Sequence, residues 1–261
     1  MSLPPLPNFR RRHPNESASI AADQTRWIVL ITPTHDRLSR KADLTRLSQT
    51  LRLVSRLFWI VVEDAPRLNP VIQRLLGRSG MPHVYLTSPK EAGFSEETPN
   101  EKWPVDGDVD VVVYFADDDN VYDTRLFDLH ARNVRSVGVW PVGLVGGVRV
   151  ESPVVHSNGS VVGFNVSYAK NRAFAVDMAG FAVNLNVLKR AGEKARFVKS
   201  CPSGYAESCF LRNLNVTLKD LQAFGCKLSA NSAAMRPEVL VWHTRTVAYV
   251  NASSSDLGFE I

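Results

Sequence analysis

The chain has 261 residues, of which 44% are hydrophobic and 22% are charged, so it can bury a sizeable core without support from metal ions or disulfides. Its formal net charge of +5 is diffuse, and the sequence contains no nucleic-acid-binding motif, which argues against nucleic acid as a partner. No run of about 18 apolar residues occurs, so no membrane-spanning helix is predicted.

The first half of the chain has the pattern of a parallel α/β sheet. Residues 1–26 are rich in Pro, Arg and Ser, lack the apolar core of a signal peptide, and are expected to form a disordered lead-in. Four short apolar runs are predicted to be strands: Trp27 to Thr32, Phe58 to Val62, His83 to Thr87 and Val109 to Phe115. Leu44, Leu47 and Leu51 share one face of a predicted helix, and Val71 to Leu76 predicts a second helix that ends at Gly77 to Gly80. Strands that alternate with helices predict a mostly parallel sheet of nucleotide-binding type.

Three consecutive aspartates, Asp117, Asp118 and Asp119, follow the most apolar of these strands. Carboxylates crowded at the end of a buried strand repel one another, and a divalent cation would stabilise them. The carboxyl ends of parallel strands also form the ligand crevice of open α/β sheets. A metal site is therefore predicted here. The alternative is an acidic turn that caps the next helix.

The second half of the chain is less regular. Its predicted elements are a helix from Thr124 to Arg135, a strand from Val137 to Val142 broken by Gly138, a hairpin from Val154 to Tyr168 that turns at Ser157 to Gly159, an apolar segment from Asp177 to Leu185, a helix from Glu207 to Leu214 and a strand from Val239 to Trp242. Gly143, Gly146 and Gly147 lack the Gly-Lys-Ser/Thr ending of a phosphate-binding loop. They are expected to let the backbone approach a substrate or a neighbouring strand closely.

The cysteines and the Asn-x-Ser/Thr sequences bear on the cellular compartment. Cys201, Cys209 and Cys226 match no zinc pattern, and they allow either one disulfide with a free thiol or three buried thiols. Potential glycosylation sites occur at Asn15, Asn158, Asn165, Asn215 and Asn251. These sites favour a secretory protein, and the alternative is that they arise by chance.

Polar residues at the predicted strand ends form a candidate ligand site. They are Asp64, Asp117, Asp118, Asp119, His243 and Arg245. Carboxylates suit a metal ion, while His and Arg suit a diphosphate, so the combination is typical of a nucleotide-sugar site. Each residue alone is more often an ordinary surface residue, and their shared position is what favours a site.

Six motifs, in this order, resemble the β-1,3-glucuronosyltransferases of the animal Golgi. They are Thr32-Pro33-Thr34, Val62 to Ala65, Tyr114 to Asn120, Trp140 to Gly147, Asp177 to Val183 and Val241 to Thr246. The resemblance extends from Trp27 to Thr246. It implies a GT-A fold in which residues 27–120 form the UDP-binding half, residues 121–250 form the acceptor-binding and catalytic half, and residues 251–261 form a tail.

The resemblance also implies a reaction. This reaction is the Mn²⁺-dependent, inverting transfer of glucuronic acid from UDP-glucuronic acid to a terminal galactose in the linker glycan of proteoglycan core proteins. The implied location is the lumenal side of the Golgi membrane, and the implied assembly is a homodimer. A different nucleotide-sugar transferase is an alternative within the same fold.

Individual roles follow from the matching motif positions. For the donor, the resemblance implies that the uracil pocket is lined by Pro33, Thr34, His35 and Asp64, that the ribose and the donor sugar are held by Asp117 and Asp118, and that the diphosphate is held by His243 and Arg245. It implies that Asp119 binds the metal. For the acceptor side, it implies that the sugars are bound by Glu151, Arg172 and Asp177, that Tyr168 stacks on the acceptor and that Glu207 is the catalytic base. The family usually has Tyr at the position of His35 and Trp at the position of Tyr168.

Glu207 has a plain alternative interpretation. A carboxylate in the first turn of a helix is stabilised by the helix dipole and needs no catalytic role. Inversion, however, requires a carboxylate that takes the proton of the acceptor hydroxyl as its oxygen attacks the sugar. Only the resemblance selects Glu207 for this task.

One stretch departs from the family pattern. The family carries two arginines that grip UDP between the third and fourth strands, whereas Lys90 to Asp108 contains no Arg. This stretch is predicted to be a surface loop. Its composition supports a second hypothesis, a catalytically impaired family member that acts as a carbohydrate-binding or partner protein. The short tail after Thr246 also departs from the family and leaves dimerisation open.

Overall fold

A computed structural model describes residues 26–88, 110–226 and 237–247. The strands are β1 (Trp27–Thr34), β2 (Leu57–Glu63), β3 (His83–Thr87), β4 (Val111–Phe115), β5 (Val121–Tyr122), β6 (Val137–Val139), β7 (Val142–Gly143), β8 (Val150–Val155), β9 (Val161–Asn165), β10 (Phe181–Asn184), β11 (Leu221–Ala223) and β12 (Val241–Trp242). The α-helices are α1 (Arg40–Leu51), α2 (Pro70–Ser79), α3 (Leu185–Ala191) and α4 (Ala206–Asn213). The predicted lead-in to residue 25, the predicted loop from Lys90 to Asp108 and the tail lie outside the described residues.

A seven-stranded sheet forms the centre of the molecule, with the strand order β11-β6-β10-β4-β1-β2-β3. β4, β1, β2 and β3 are parallel, β10 is antiparallel to both β4 and β6, and β11 is parallel to β6. The prediction of an α/β fold with a mostly parallel sheet is confirmed. The same sheet takes strands from both predicted halves of the chain.

The helices of the first half follow the predicted pattern. Leu44, Leu47 and Leu51 of α1 are buried against the sheet. The predicted end of α2 is slightly wrong, because the helix continues through Gly77 and stops at Gly80, whose φ of 69° lies in the left-handed region. Arg26, predicted to belong to the lead-in, is buried and forms an ion pair with Asp110.

A second sheet, with the order β5-β12-β7-β8-β9, contains the predicted hairpin. β8 and β9 pair antiparallel, and Gly159 adopts a φ of 87° in their turn, so the hairpin is confirmed. The prediction of one strand from Val137 to Val142 is wrong. The chain leaves the main sheet after Val139 as β6 and enters the second sheet at Val142 as β7. Pro141, which has no N–H for a strand ladder, lies at this crossing.

The predicted helix from Thr124 to Arg135 is also irregular in the structure. A π-helical turn, Leu126–His130, is followed by a 3-10 turn, Ala131–Asn133. Within these turns Leu126, Phe127, His130, Ala131 and Arg132 are all buried. The chain therefore changes its helical pitch within a buried segment. No helix in the described part of the chain is long and apolar enough to cross a bilayer.

His130 is a buried titratable residue in this segment. Its ring stacks on Phe224 at a centroid distance of 5.7 Å, and neither ring nitrogen has a hydrogen-bond partner among the described residues. Burial lowers the pKa of His130, and the Leu129 backbone and the charge of Glu238 only partly oppose this effect. The folded protein therefore favours the neutral imidazole.

We expect His130 to make the fold sensitive to mild acid. Its folded pKa lies below the unfolded value of about 6.5, so its contribution is complete above that pH and is lost as the pH falls below it. The loss is up to about 1.4 kcal/mol for each pH unit between the two pKa values. When the free energy of unfolding in urea is measured between pH 7.5 and 5, it should fall less steeply with decreasing pH in His130→Phe than in wild type. The exposed His156→Gln variant is the control, and equal profiles for wild type and His130→Phe would refute the expectation.

Candidate functional site

The carboxyl ends of β1, β2 and β4 meet at one edge of the main sheet. Thr34 pairs with Glu63 across β1 and β2, and Ile31 pairs with Phe115 across β1 and β4. The residues that follow these strands therefore lie together, where open α/β sheets bind ligands. A cavity of about 420 Å³ opens at this edge, and its lining residues are Pro33, Thr34, His35, Arg37, Asp64, Asp117, Asp118 and Asp119. The structure thus gathers the predicted uracil-pocket residues and the three aspartates around one cavity.

Arg37 was missed by the sequence analysis. Its Nη2 donates to Asp118 Oδ1 at 2.6 Å and to Asp43 Oδ2 at 3.0 Å. Thr34 Oγ1 donates to the other Asp118 oxygen at 2.7 Å, so both oxygens of this buried carboxylate are engaged. The available signal was the position of Arg37, in the turn that directly follows the predicted uracil-pocket residues. Its guanidinium thus forms an ion pair with the Asp118 carboxylate inside the cavity.

The carboxyl groups of Asp117 and Asp119 both have raised pKa values. Burial raises the pKa of Asp117 to about 6, and the charges of Asp177 and Asp119 add to this effect. Burial and the charge of Asp118 also raise the pKa of Asp119. The Asp119 carboxylate forms no ion pair within the described ranges. A cation from outside the protein would therefore stabilise this cluster.

The donor set limits how a metal ion can bind. The described residues contain no group of three or more His, Cys, Asp or Glu side chains arranged to hold an ion by themselves. Ions of the Mg²⁺ type are often held by one or two carboxylates and complete their coordination with water and substrate phosphates. Asp119 fits this second kind of site, in which a metal binds together with a diphosphate.

The segment that carries His243 and Arg245 is fastened to the aspartates. Thr244 Oγ1 donates to the Asp119 carbonyl at 2.5 Å, and the Thr244 N–H donates to Asn120 Oδ1 at 3.2 Å. The His243 N–H donates to the Gly143 carbonyl at 2.8 Å, which joins the segment to the glycine-rich turn. His243 and Arg245 are both exposed, so their side chains are accessible to a ligand.

Asp177 links the aspartates to the rest of the site. Its Oδ2 lies 3.5 Å from His243 Nδ1, and this hydrogen bond raises the pKa of His243. The charge of Asp177 also raises the pKa of both Asp117 and Glu207. The predicted donor, sugar and base residues therefore form one electrostatic cluster.

Glu207 lies in the first turn of α4, as predicted. Its side chain is 17% exposed, and Oε2 lies 3.9 Å from Arg172 Nη1. Burial raises the pKa of Glu207 and the charge of Asp177 acts in the same direction, while Arg172 opposes them. A partly buried carboxylate of raised pKa is a better proton acceptor than an exposed one.

Arg172 is used differently from the prediction that it binds a sugar. Its guanidinium is buried and donates through Nη1 to the carbonyls of Gly204 at 3.1 Å and Val176 at 3.3 Å. These bonds hold the turn that precedes Glu207. A direct contact between Arg172 and a sugar stays a prediction.

Tyr168 packs against this turn, and Glu151 contacts Ser167, the residue before Tyr168. Glu151 is buried, and its Oε1 accepts from the Ser167 N–H at 3.2 Å. Tyr168 is 54% exposed and packs closely on Gly204, where an added Cβ would lie 2.5 Å from Tyr168 Cε1. An exposed aromatic ring beside the turn of Glu207 suits contact with an acceptor, although its predicted stacking is not tested.

Comparison with known proteins places the chain in a family. The sequence model of Glycosyltransferase family 43 matches residues 47–247. The chain therefore belongs to Glycosyltransferase family 43, and the resemblance predicted from its motifs is confirmed. We assign it the GT-A fold that this resemblance implied.

Three curated relatives show the extent of the similarity. The chain is 40% identical to galactosylgalactosylxylosylprotein 3-beta-glucuronosyltransferase sqv-8 of Caenorhabditis elegans, over 85% of this chain and 65% of that protein. It is 38% identical to galactosylgalactosylxylosylprotein 3-beta-glucuronosyltransferase 1 of Homo sapiens, over 91% of this chain and 74% of the relative. It is 43% identical to galactosylgalactosylxylosylprotein 3-beta-glucuronosyltransferase 3 of Mus musculus, over 84% of this chain and 70% of that protein.

Solved structures are more distant. The structure of S. aureus TarS 1-349 in complex with UDP-GlcNAc is 13% identical, with a TM-score of 0.49 over 85% of this chain and 59% of that chain. The mannosyltransferase PcManGT of Pyrobaculum calidifontis, in complex with GDP-Man and Mn2+, is 12% identical, with a TM-score of 0.47 over 86% and 59%. Scores this low decide nothing about the site.

The glycine-rich turn between β7 and β8 brings backbone close to neighbouring side chains, as predicted. Gly146 has a φ of 61°, and a Cβ added there would lie 2.9 Å from Glu151 Cδ and closer still to Oε1. Gly147 has a φ of 76°, but an added Cβ would meet nothing within 4 Å. The two glycines therefore share the same backbone constraint and differ in their surroundings.

We expect Gly146→Ala to destabilise the protein more than Gly147→Ala. Both variants force a side chain into the left-handed region, at about 1–2 kcal/mol, and Gly146→Ala also displaces Glu151, which adds about 1–3 kcal/mol for overpacking. Urea unfolding of both variants measures the difference. Equal unfolding free energies would show that Glu151 moves away without cost.

Proposed function

We propose that this protein is an inverting glucuronosyltransferase that moves glucuronic acid from UDP-glucuronic acid to a terminal galactose of the proteoglycan linker, with Mn²⁺ as cofactor. The observation that carries the proposal is the single cluster in which Asp177 connects the aspartate cavity to Glu207, in a chain 38–43% identical to relatives named for this transfer. The chain spans 65% of the C. elegans relative, so the activity of the whole relative is transferred here only as a proposal.

The donor would occupy the cavity at the strand ends. Pro33, Thr34, His35 and Asp64 line the part that we assign to uracil, and Asp117 and Asp118 lie beside it for the ribose and the donor sugar. Asp119 would hold Mn²⁺, which when bound offsets negative charge on the diphosphate as UDP departs. His243 and Arg245, exposed beside Asp119, would hold the diphosphate oxygens.

Glu207 would act as the general base. Its carboxylate would take the proton from the acceptor hydroxyl while that oxygen attacks the anomeric carbon from the face opposite UDP. A new C–O bond forms, and the bond to the β-phosphate breaks with its electron pair on the departing UDP. His243, whose raised pKa favours the cation, would face the charge that develops there.

The acceptor would bind on the side of the second half. Tyr168, which is exposed, would stack on the acceptor, and Glu151 and Asp177 would accept hydrogen bonds from sugar hydroxyls. We propose a lumenal Golgi location and a homodimer from the family relation. The Cys201–Cys209 disulfide supports an oxidising compartment, because such bonds are rare in the cytosol.

An impaired, non-catalytic relative is the competing hypothesis. It depends on the missing arginines between Lys90 and Asp108, a stretch that lies outside the described residues. The hypothesis considers only the arginines of that stretch, whereas Arg37 places a guanidinium in the donor cavity. Donor binding and transfer therefore have to be measured on the protein itself.

We expect UDP to bind at least tenfold more tightly with Mn²⁺ than with chelator, because the crowded carboxylates repel a diphosphate until a cation intervenes. Asp119→Asn should remove this difference, as measured by isothermal titration. Asp128→Asn, which changes a carboxylate in the Leu126–His130 turn that does not line the donor cavity, is the control. If wild type bound UDP equally tightly with Mn²⁺ and with chelator, the site assignment would be refuted.

Glu207→Gln should reduce turnover at least a hundredfold, because it keeps the shape of the side chain and removes the proton acceptor. UDP affinity should stay within about twofold, because the donor cavity excludes Glu207. In wild type, kcat should fall as the pH drops through the raised pKa of Glu207, since only the carboxylate is active. A variant that keeps more than about a third of wild-type turnover would show that the base lies elsewhere.

A further inference from the structure

A disulfide closes the turn that carries Glu207. Cys201 and Cys209 are bonded, with a sequence separation of 8 and a Cα–Cα distance of 6.3 Å. Glu207 lies inside this closed loop, two positions before Cys209. The crosslink therefore joins the chain before the turn directly to the helix of the candidate base.

The amino-terminal end of α4 has few other restraints. The helix has eight residues, and its N-cap residue, Tyr205, makes no side-chain capping hydrogen bond. Isolated helices shorter than about 12–15 residues are marginal in water. Pro202 and Ser203 in the turn are exposed, whereas Phe210 and Leu211, further along α4, are buried in the core. The core thus holds the later part of the helix and leaves its first turn less supported.

Among the described residues, noncovalent contacts to the turn come from the segment 168–174, in which Tyr168 packs on Gly204. Arg172 Nη1 donates to the Gly204 carbonyl at 3.1 Å, and the Phe174 N–H donates to Ser208 Oγ at 3.2 Å. Both contacts hold the turn against the chain at 172–174. The disulfide is the restraint that fixes Cys201, at the start of the turn, to the helix itself.

We propose that the Cys201–Cys209 disulfide is a positioning crosslink that holds the Glu207 carboxylate in its direction toward the acceptor hydroxyl. The inference rests on the proposed function, in which Glu207 is the base. Opening the bond lets the first turn of α4 sample other conformations, and small displacements of a catalytic group cause large losses of rate. None of the residues lining the donor cavity lies between Cys201 and Cys209, so donor binding is independent of the crosslink.

The disulfide is accessible to chemical reduction. Cys201 and Cys209 are both partly exposed. A dithiol such as dithiothreitol breaks the S–S bond and leaves two protein thiols, and the reagent supplies two electrons and two protons as it closes to its own cyclic disulfide. The remaining cysteine, Cys226, is free and partly buried, and burial raises its pKa to about 12. A substitution of Cys226 therefore serves as the control for loss of a cysteine without loss of a crosslink.

The test compares the double variant Cys201→Ser/Cys209→Ser with Cys226→Ser and wild type. We expect kcat for glucuronosyl transfer to fall at least fivefold in the double variant, while the KM for UDP-glucuronic acid and the affinity for UDP with Mn²⁺ stay within twofold. The acidic limb of the kcat profile should move to lower pH, because a loosened turn exposes Glu207 to water. Cys226→Ser should match wild type in every measurement.

Reduction of the folded wild-type protein gives a second measurement that does not depend on how the double variant folds. Thiol counting confirms opening of the bond, and kcat should then fall to the level of the double variant, which itself should not respond to the reagent. A loss of folded protein alone would lower kcat in proportion to the folded fraction and leave the pH profile in place. That result, or an unchanged kcat after full reduction, would overturn the proposal.

Hydrogen exchange separates this proposal from the proposed function. The amides of Tyr205 and Cys209, which donate to Pro202 and Tyr205, should lose at least tenfold of their protection when the bond opens. If the oxidised protein transfers no glucuronic acid at all, the proposed function fails, and exchange still decides whether the disulfide holds the turn. Unchanged protection at both amides would refute the positioning role.

Discussion

Electrostatic repulsion among carboxylates that share one partly buried edge is the constraint on which this site depends. Burial raises the pKa of Asp117 to about 6, and the charges of Asp177, Asp119 and Asp118 add to this effect, while Asp118 also raises the pKa of Asp119. A fold gains nothing in stability from such a cluster. The arrangement is consistent with a site whose missing positive charge arrives with a ligand.

The chain supplies only part of the compensating charge. Arg37 pairs with Asp118 and Asp43, and Arg46 Nη2 donates to the Asp119 carbonyl at 2.7 Å, while the charge of Arg37 only partly offsets the raised pKa of Asp119. His243 is tied to Asp177. Most charges of the frame are therefore paired within the protein, whereas the Asp119 carboxylate forms no ion pair among the described residues, which is the division expected of a preorganised ligand site.

The sequence predicted the parts of the fold that local patterns determine. The apolar runs of β1 to β4 and the Leu44, Leu47, Leu51 stripe of α1 have clear periodicity, and their positions were predicted to within a few residues. The pitch change at Leu126–His130 could not be predicted, because it depends on which tertiary contacts bury His130 and Arg132. The role of Arg37 could not be predicted, because a basic residue in a turn has no distinguishing sequence pattern until the position of its partner Asp118 is known.

The family resemblance identified residues, but only the fold shows how they depend on one another. Glu207 and Asp117 are 90 positions apart in sequence, and both feel the charge of Asp177. Asp177 and the turn at Met178–Gly180 directly precede β10, which inserts antiparallel between β4 and β6. Asp177 thus stands where the two halves of the chain share one sheet. A change at Asp177 therefore acts on His243, Asp117 and Glu207 at once.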